Sequence, residues 1–464
     1  MSQPHQISIH QARRHSQWIV GQWSVAAALI VSAGLLAGCG GDNNTDFSAA
    51  DIGSIQVVNA VADSPSLTFL IEDATLAVLP YGQASAFTSL DDGSFEIRAL
   101  FANVDQESTE LYDENVRVED GEQTTVILAG TVAAPIEIIV NAVNPDVATD
   151  TAELIVLNSA GLGALDVFLT EPAAPLADPL ASVAANTASE VIATASGTSR
   201  LRVTTAGSDT LLYDSGDFEF TGGNRAFLHL RPNFGPASGG ITAELINATA
   251  TIGFGNQTLP SSVRIANAIA DEPAADAQLT GSENSVSLVA IPANSFSASN
   301  LFAPGAIDLA VTLQTDPGTQ FFADTAILNG GEQRTLLVAG LFGDNSTIGR
   351  LTLDPVRPIA TVAQLNVLHG SISSAAIDVY ILSGGETTTD TTPDIAGLTI
   401  LANSNIQVIP GTYDLVITEA GQTASLAGPM SVTLNNALIY TLLVTDADGG
   451  GTPPRFILGD AFIE

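Results

Sequence analysis

The sequence predicts an all-β protein. Four tandem antiparallel β-sandwich domains, immunoglobulin-like or transthyretin-like, stand behind an N-terminal export segment. Three observations carry that expectation. Apolar and polar residues alternate with a period of two. Gly-, Asn- and Asp-rich turn signals recur about every eight to twelve residues. One pattern of strands and turns returns at intervals of about a hundred residues.

The export segment comes first. Residues 1–17 are polar, and Arg13 and Arg14 are their only fixed charged side chains. Trp18 to Ala37 is an apolar run without a charge, ending in Leu36-Ala37-Gly38-Cys39. Gly40-Gly41-Asp42-Asn43-Asn44-Thr45 follows as a polar tether. A positive flank, an apolar stretch and small residues before a cleavage point mark a secretory signal. The run is also long enough to cross a bilayer uncleaved. The cysteine favours cleavage, because it is the only one in the chain and stands directly after Leu-Ala-Gly.

This arrangement resembles the lipobox of bacterial lipoproteins. The resemblance implies a lipoprotein signal peptide over 1–38, cleaved after Gly38. It also implies palmitate-type acyl chains on Cys39 and the lipid bilayer as a partner. Each buried CH₂ contributes about 0.8 kcal/mol, so several chains on one residue anchor stably. Arg13-Arg14 resembles a twin-arginine signal, but His15-Ser16-Gln17 does not continue it. Gly40 stands where inner-membrane-retained lipoproteins carry Asp. It points to the outer membrane, periplasmic or surface-exposed.

Residues 39–53 are then the lipidated cysteine and its tether. Sandwich domains are expected at 54–146, 152–250, 261–356 and 362–464. Internal similarity sets the count. Val57-Val58-Asn59-Ala60-Val61-Ala62-Asp63-Ser64-Pro65 returns 208 residues later as Ile265-Ala266-Asn267-Ala268-Ile269-Ala270-Asp271-Glu272-Pro273. The run Gly121 to Gly130 returns 210 residues later as Gly331 to Gly340. A second register lies between these. Val156-Leu157-Asn158 and Val367-Leu368-His369 precede Asp166-Val167-Phe168-Leu169 and Asp378-Val379-Tyr380-Ile381.

Odd and even units therefore differ, which suggests a duplicated pair. The boundaries Asn144–Thr151, Ala248–Pro260 and Asp354–Thr361 are short, which suggests a paired or rod-like arrangement. Each unit also holds a glycine leading an alternating strand, at Gly93, Gly197, Gly305 and Gly411. In the first, Phe95 and Ile97 point one way while Glu96 and Arg98 point the other. Six to eight strands per unit are expected. Pro172–Ala188 is Ala-rich but broken by Pro172, Pro175 and Pro179, so a loop is expected there.

Charge narrows the chemistry. The 464 residues carry 13 arginines, no lysine and 50 acids, a net charge of −37. Without lysine there is no Schiff-base or P-loop lysine chemistry. Removing 1–38 leaves eleven arginines against fifty acids, a net −39, with His229 and His369 as the only histidines and no Trp. Such a charge repels nucleic acid and anionic headgroups, so no nucleic-acid partner is expected. The lack of lysine with excess Asp suggests a salt-tolerant source. No disulfide is available, so apolar packing must hold each sandwich.

The repeated strands resemble a bacterial domain of unknown function, number 4397. The fourth unit carries the nearest motifs: Val367-Leu368-His369-Gly370, Ile377-Asp378-Val379-Tyr380, Pro410-Gly411-Thr412-Tyr413-Asp414-Leu415 and Ala437 to Val444. The other units place Asn59, Asn158 and Asn267 at the histidine, and the first and third lack Asp-Val-Tyr. The resemblance spans 54–464 through divergent copies. It implies β-sandwiches and supplies no catalytic residue.

Few side chains suggest chemistry. His369 beside Asp378 has the residue types of a base or metal site. Asn in three sister units points instead to hydrogen bonding with backbone. His229, in Ala226-Phe227-Leu228-His229-Leu230, fills an ordinary strand slot. No Gly-x-Ser-x-Gly elbow occurs. Gly253-Phe254-Gly255 and Gly161-Leu162-Gly163 lack the third glycine of a dinucleotide loop. Asp446-Ala447-Asp448-Gly449 begins like a calcium loop, which makes Asp446 and Asp448 the metal candidates. The twelfth position is Ile457 rather than Glu, so an EF-hand is excluded.

The expectation is a non-enzymatic cell-envelope lipoprotein: a scaffold for binding, adhesion or envelope structure, with no cofactor apart from candidate calcium. Its ligand is an envelope protein or a glycan. The alternative is a carbohydrate-binding protein or an accessory of a polysaccharide-acting enzyme. Tyr81, Tyr112, Tyr213, Tyr380, Tyr413 and Tyr440 would then be the stacking candidates.

Overall fold

A computed structural model describes residues 52–143, 147–237, 239–246, 251–314, 316, 318–343 and 346–459. Gly38, Cys39 and the export segment lie outside the described residues. Every regular element among the described residues is a strand.

The strands form eight sheets that face each other in repeated sandwich-like units. In the first unit, Ile52–Asn59 lies between Gln83–Ala84 and Glu122–Thr131, and Glu122–Thr131 pairs onward with Ala134–Val143. The facing sheet runs Ala74–Leu79, Leu67–Ile71, Gly93–Ala102, Ser108–Val118. Ile55, Val57, Leu67, Phe69, Ile97 and Leu128 fill the space between the two. The same plan recurs around Thr151–Asn158, Ser261–Ile269 and Ala363–His369. Among the described residues these units hold nine, ten, nine and eight strands. The first three exceed the expected six to eight because some of their edge pieces are only two or three residues long.

The sheets are antiparallel except at one place in each unit. Ile52–Asn59 runs parallel to Glu122–Thr131, and Thr151–Asn158 to Arg225–Pro232. Ser261–Ile269 and Ala363–His369 make the same pairing with Gln333–Gly340 and Ile439–Thr445. The chain leaves after its first strand, builds the facing sheet and returns. A parallel neighbour requires such a long crossover.

These first strands are buried on both faces. Val57 and Val58 point in opposite directions, yet both are 0% exposed. Val57 enters the core of its own unit. Val58 joins Ile127, Ile138, Ile155, Leu157, Phe227 and Ile246 in a second cluster, between the first and second units. Ala266, Ala268 and Leu337 meet Leu368 and Leu443 in the same way between the third and fourth. Two units thus stack sheet on sheet, four layers deep. The first strands are covered on both sides, so even their polar residues, Gln56, Arg264, Gln364 and Asn366 among them, are buried. Fully burying each Leu or Ile there stabilises by about 1.5–3 kcal/mol.

The repeated motifs have physical causes. Asp63 accepts the Val132 N–H at 2.7 Å, and Asp271 accepts those of Phe342 and Gly343 at 2.8 Å each. The Asp of one repeated block therefore caps the loop that follows the other. The strand-leading glycines answer two different needs. Gly197 and Gly305 both have φ of +125°, a conformation that disfavours any side chain. At Gly93 and Gly411 a Cβ would lie 3.3 Å from the Phe95 ring and 3.1 Å from the Tyr413 ring. There the aromatic residue two positions on covers the glycine.

Two stretches differ from the sequence expectation. Thr251–Phe254 pairs with Ile241–Ile246, so the second unit continues past residue 250. The stretch 172–188 is not wholly loop. Ala181–Val183 pairs with Leu165–Thr170, and Thr187–Ala188 with Thr151–Asn158.

Candidate functional site

Strand register defines equivalent positions across the units. Val58, Leu157, Ala266 and Leu368 stand opposite Ile127, His229, Leu337 and Leu443. On the next strand, Ile127 faces Ile138 and Leu443 faces Ile457, whereas Leu337 faces Arg350 and His229 faces Glu244. The second unit thus puts an imidazole and a carboxylate where the first and fourth put two aliphatic side chains. His229 is 0% exposed and Glu244 4%.

His229 Nδ1 lies 2.9 Å from Glu244 Oε1, and its Nε2 lies 2.7 Å from Ser159 Oγ. Burial pushes the Glu244 carboxyl up. The hydrogen bond from His229 and the charge of Arg231 outweigh that and bring it down to about 2. An ionised carboxylate only accepts, so Nδ1 carries the proton between them. With Nδ1–H turned to Glu244, Nε2 faces the Ser159 hydroxyl.

More groups converge on Glu244. Arg231 Nε donates to Oε2 at 3.2 Å, and the Tyr81 hydroxyl donates to Oε1 at 3.1 Å. The Arg231 and Arg357 guanidinium carbons lie 5.6 Å and 4.6 Å from the Tyr81 ring centre, within cation–π range. Arg357 also donates to the carbonyls of Ala62 and Ser64 at 3.1 Å and 3.0 Å. Burial pushes the Tyr81 phenol up, with Glu244 adding to it, so the hydroxyl stays protonated. Burial pushes the Arg357 guanidinium down. Tyr81 comes from the first unit, Glu244 from the second, and Arg357 from the segment between the third and fourth. The cluster is a polar node joining three parts of the chain.

The other paired stack holds a simpler counterpart. Arg264, 4% exposed, stands 3.5 Å from Asp354 and donates to the hydroxyls of Thr335 at 2.8 Å and Thr441 at 3.1 Å. Thr441 belongs to the fourth unit, so this hydrogen bond crosses the interface. Burial lowers the arginine to about 10, against the pull of Asp354. Burial also raises the Asp354 carboxyl, against the pull of Arg264 and Thr335.

His369 does what its asparagine counterparts do. The amides of Asn59, Asn158 and Asn267 donate to the carbonyls of Leu79, Val183 and Ile291 at 3.0–3.1 Å. Their side-chain oxygens accept the N–H two residues on, at 3.1–3.3 Å. His369 Nε2 donates to the Ser374 carbonyl at 2.9 Å, and its Nδ1 accepts the Ser371 N–H, again two residues on, at 3.4 Å. Burial pushes this imidazole down, which favours the neutral ring such bonding needs. Asp378 turns away to the N–H groups of Gly397 and Gly421, at 2.6 Å and 2.7 Å.

Asp446 and Asp448 face different partners. Asp446 accepts from the Ser371 and Ser373 hydroxyls, while Asp448 pairs with Arg455 at 2.6 Å. Among the described residues, no group of three or more His, Cys, Asp or Glu is placed to hold a metal. Tyr112, Tyr213, Tyr380 and Tyr440 are buried, and Tyr81 and Tyr413 are half-buried. None of the six forms an exposed stacking platform.

In the sequence, His229 reads as a lone strand residue. Its partners lie 70 residues before and 15 after it. The legible signal was a charged residue in a column that is aliphatic in the first and fourth units.

Comparison with known proteins adds one family. Residues 53–168 match the model of a "Domain of unknown function (DUF4397)". The match covers the first unit and the opening strands of the second. No curated protein matches the sequence. A solved structure titled "The Bacillus anthracis TIE protein" aligns over 86% of this chain and 69% of its own, at 11% identity and a TM-score of 0.15. At that score the alignment carries no argument.

Proposed function

We propose that this chain is a non-enzymatic lipoprotein of the cell envelope. Its stacked sandwiches serve as a scaffold that presents a binding surface away from the membrane. Acyl chains on Cys39 hold it to the bilayer, in the outer membrane by the Gly40 criterion. The observation that carries the reading is the use of sheet faces. Both inner faces of each pair go to packing against another unit, which builds rigidity rather than a cleft. The single cysteine at the end of an apolar, Arg-flanked run supplies the anchor. A net charge of −37 with no lysine fits a surface that avoids nucleic acid and anionic headgroups.

Metabolic labelling with an alkyne fatty acid tests the anchor. The wild-type chain takes label and sediments with membranes, and Cys39→Ser does neither. Label retained in Cys39→Ser overturns lipid attachment at that residue. Capture from envelope extract with the 46–464 fragment, with and without calcium, tests the scaffold. A specific envelope protein or glycan supports it, and glycan cleavage by the fragment overturns the non-enzymatic reading.

A further inference from the structure

We propose that Ser159 is an acyl-acceptor nucleophile, with His229 as its base and Glu244 as the residue that positions His229. Hydroxyl, imidazole and carboxylate stand in line at 2.7 Å and 2.9 Å. That is the order of roles in an activated serine. The carboxylate is ionised, which fixes the ring tautomer and leaves Nε2 facing the hydroxyl. A longer 3.4 Å contact to the Leu230 carbonyl is the other acceptor within reach of Oγ.

The fold does not require these three residues. The positions equivalent to Ser159, His229 and Glu244 are Ala60, Ile127 and Ile138 in the first unit. In the fourth they are Gly370, Leu443 and Ile457. Those trios bury apolar surface, which is the cheaper way to fill such a site. Access is graded in the right direction. His229 and Glu244 are buried, Ser159 is partly exposed, and the exposed Gly161-Leu162-Gly163 follows at once. Ser159 is held in place by its own N–H, which donates to Leu230 at 3.0 Å. Among the described residues, no acceptor takes the N–H groups of the neighbouring Gly161, Leu162 or Gly163.

The substrate class is an activated carboxylic ester or thioester. A bond forms from Ser159 Oγ to the carbonyl carbon, and the bond to the leaving group breaks. The serine proton passes to His229 Nε2 and then to the leaving group. The products are an acyl-serine and one alcohol or thiol. This goes beyond the scaffold reading, because it gives the scaffold one site of covalent attachment.

The test is labelling of the full chain with an alkyl fluorophosphonate, which forms a P–O bond at serine and releases fluoride. The expected result is one adduct per chain, mapped to Ser159 and absent in Ser159→Ala. The labelling rate should fall about a hundredfold or more in His229→Gln. His369→Asn changes the other histidine of residues 39–464, outside this trio, and it should label like the wild type. An adduct at Ser159 that forms no faster in the folded chain than in urea overturns the proposal. So does an absence of Ser159 adduct in the folded wild type.

Discussion

The Tyr81 hydroxyl of the first unit donates a 3.1 Å hydrogen bond to Glu244 of the second, across 163 residues of sequence. The same ring lies against Arg231 and Arg357. Two separable contributions therefore meet at one side chain. Tyr81→Phe removes the hydrogen bond to a charged acceptor and keeps the ring, at a cost of about 1.5–3 kcal/mol. Tyr81→Ala also removes both ring contacts and should cost clearly more. Urea unfolding of the two variants measures the difference. Equal losses would mean that the arginine–ring contacts contribute nothing.

Acid should weaken this node. The Glu244 carboxyl has its folded value depressed to about 2 from an ordinary 4.5. Its contribution is whole above about 4.5 and is lost as pH falls toward about 2, on the order of 3 kcal/mol in all. Asp354 is shifted upward, so its protonation on acidification favours the folded chain and works the other way. Urea midpoints at about pH 5 and about pH 3 should fall further in the wild type than in Glu244→Gln. Parallel falls in the two proteins would remove Glu244 from the acid response.

At His369 the histidine should be replaceable by the residue its sister units use. His369→Asn restores an amide that can donate to the Ser374 carbonyl and accept the Ser371 N–H, and should cost less than about 1 kcal/mol. His369→Leu leaves both backbone groups buried and unpaired, at about 2–4 kcal/mol. Thermal and urea unfolding of the pair check the order. Equal losses in both variants would show that this position requires the imidazole itself.

Much of the fold was legible in the sequence because it rests on local periodicity. Phe95, Ile97, Glu96 and Arg98 alternate as a half-buried strand must, and Gly197 and Gly305 mark a backbone conformation. The duplicated pair showed in the 208- and 210-residue offsets. The pairing of units showed more faintly, in the short boundaries Asn144–Thr151, Ala248–Pro260 and Asp354–Thr361. What the sequence hid was non-local. The parallel pairing of Ile55 with Thr124 leaves no mark on either strand. The node needs Tyr81, Glu244 and Arg357 together, three residues from three separate stretches that no spacing rule connects. Ser159 and His229 meet only because the parallel crossover sets their strands side by side.

The buried pair Arg264 and Asp354 allows a sharper test of what such groups contribute. Asp354 accepts from Thr335 at 2.6 Å as well as facing the arginine, so its loss takes the opposing carboxylate from a guanidinium that is 4% exposed. Asp354→Leu alone should cost about 3–5 kcal/mol. The double variant Arg264→Met with Asp354→Leu removes both charges and fills the space with apolar atoms. It should recover most of that loss, and a net gain of about 1–4 kcal/mol is within the range such replacements reach. The first unit shows that the layer tolerates a neutral residue, because Gln56 occupies the position equivalent to Arg264. Urea unfolding of the four proteins in the cycle decides the matter. A double variant as unstable as the sum of the two singles would mean that the charges hold the third and fourth units in register, rather than being a tolerated cost of the interface.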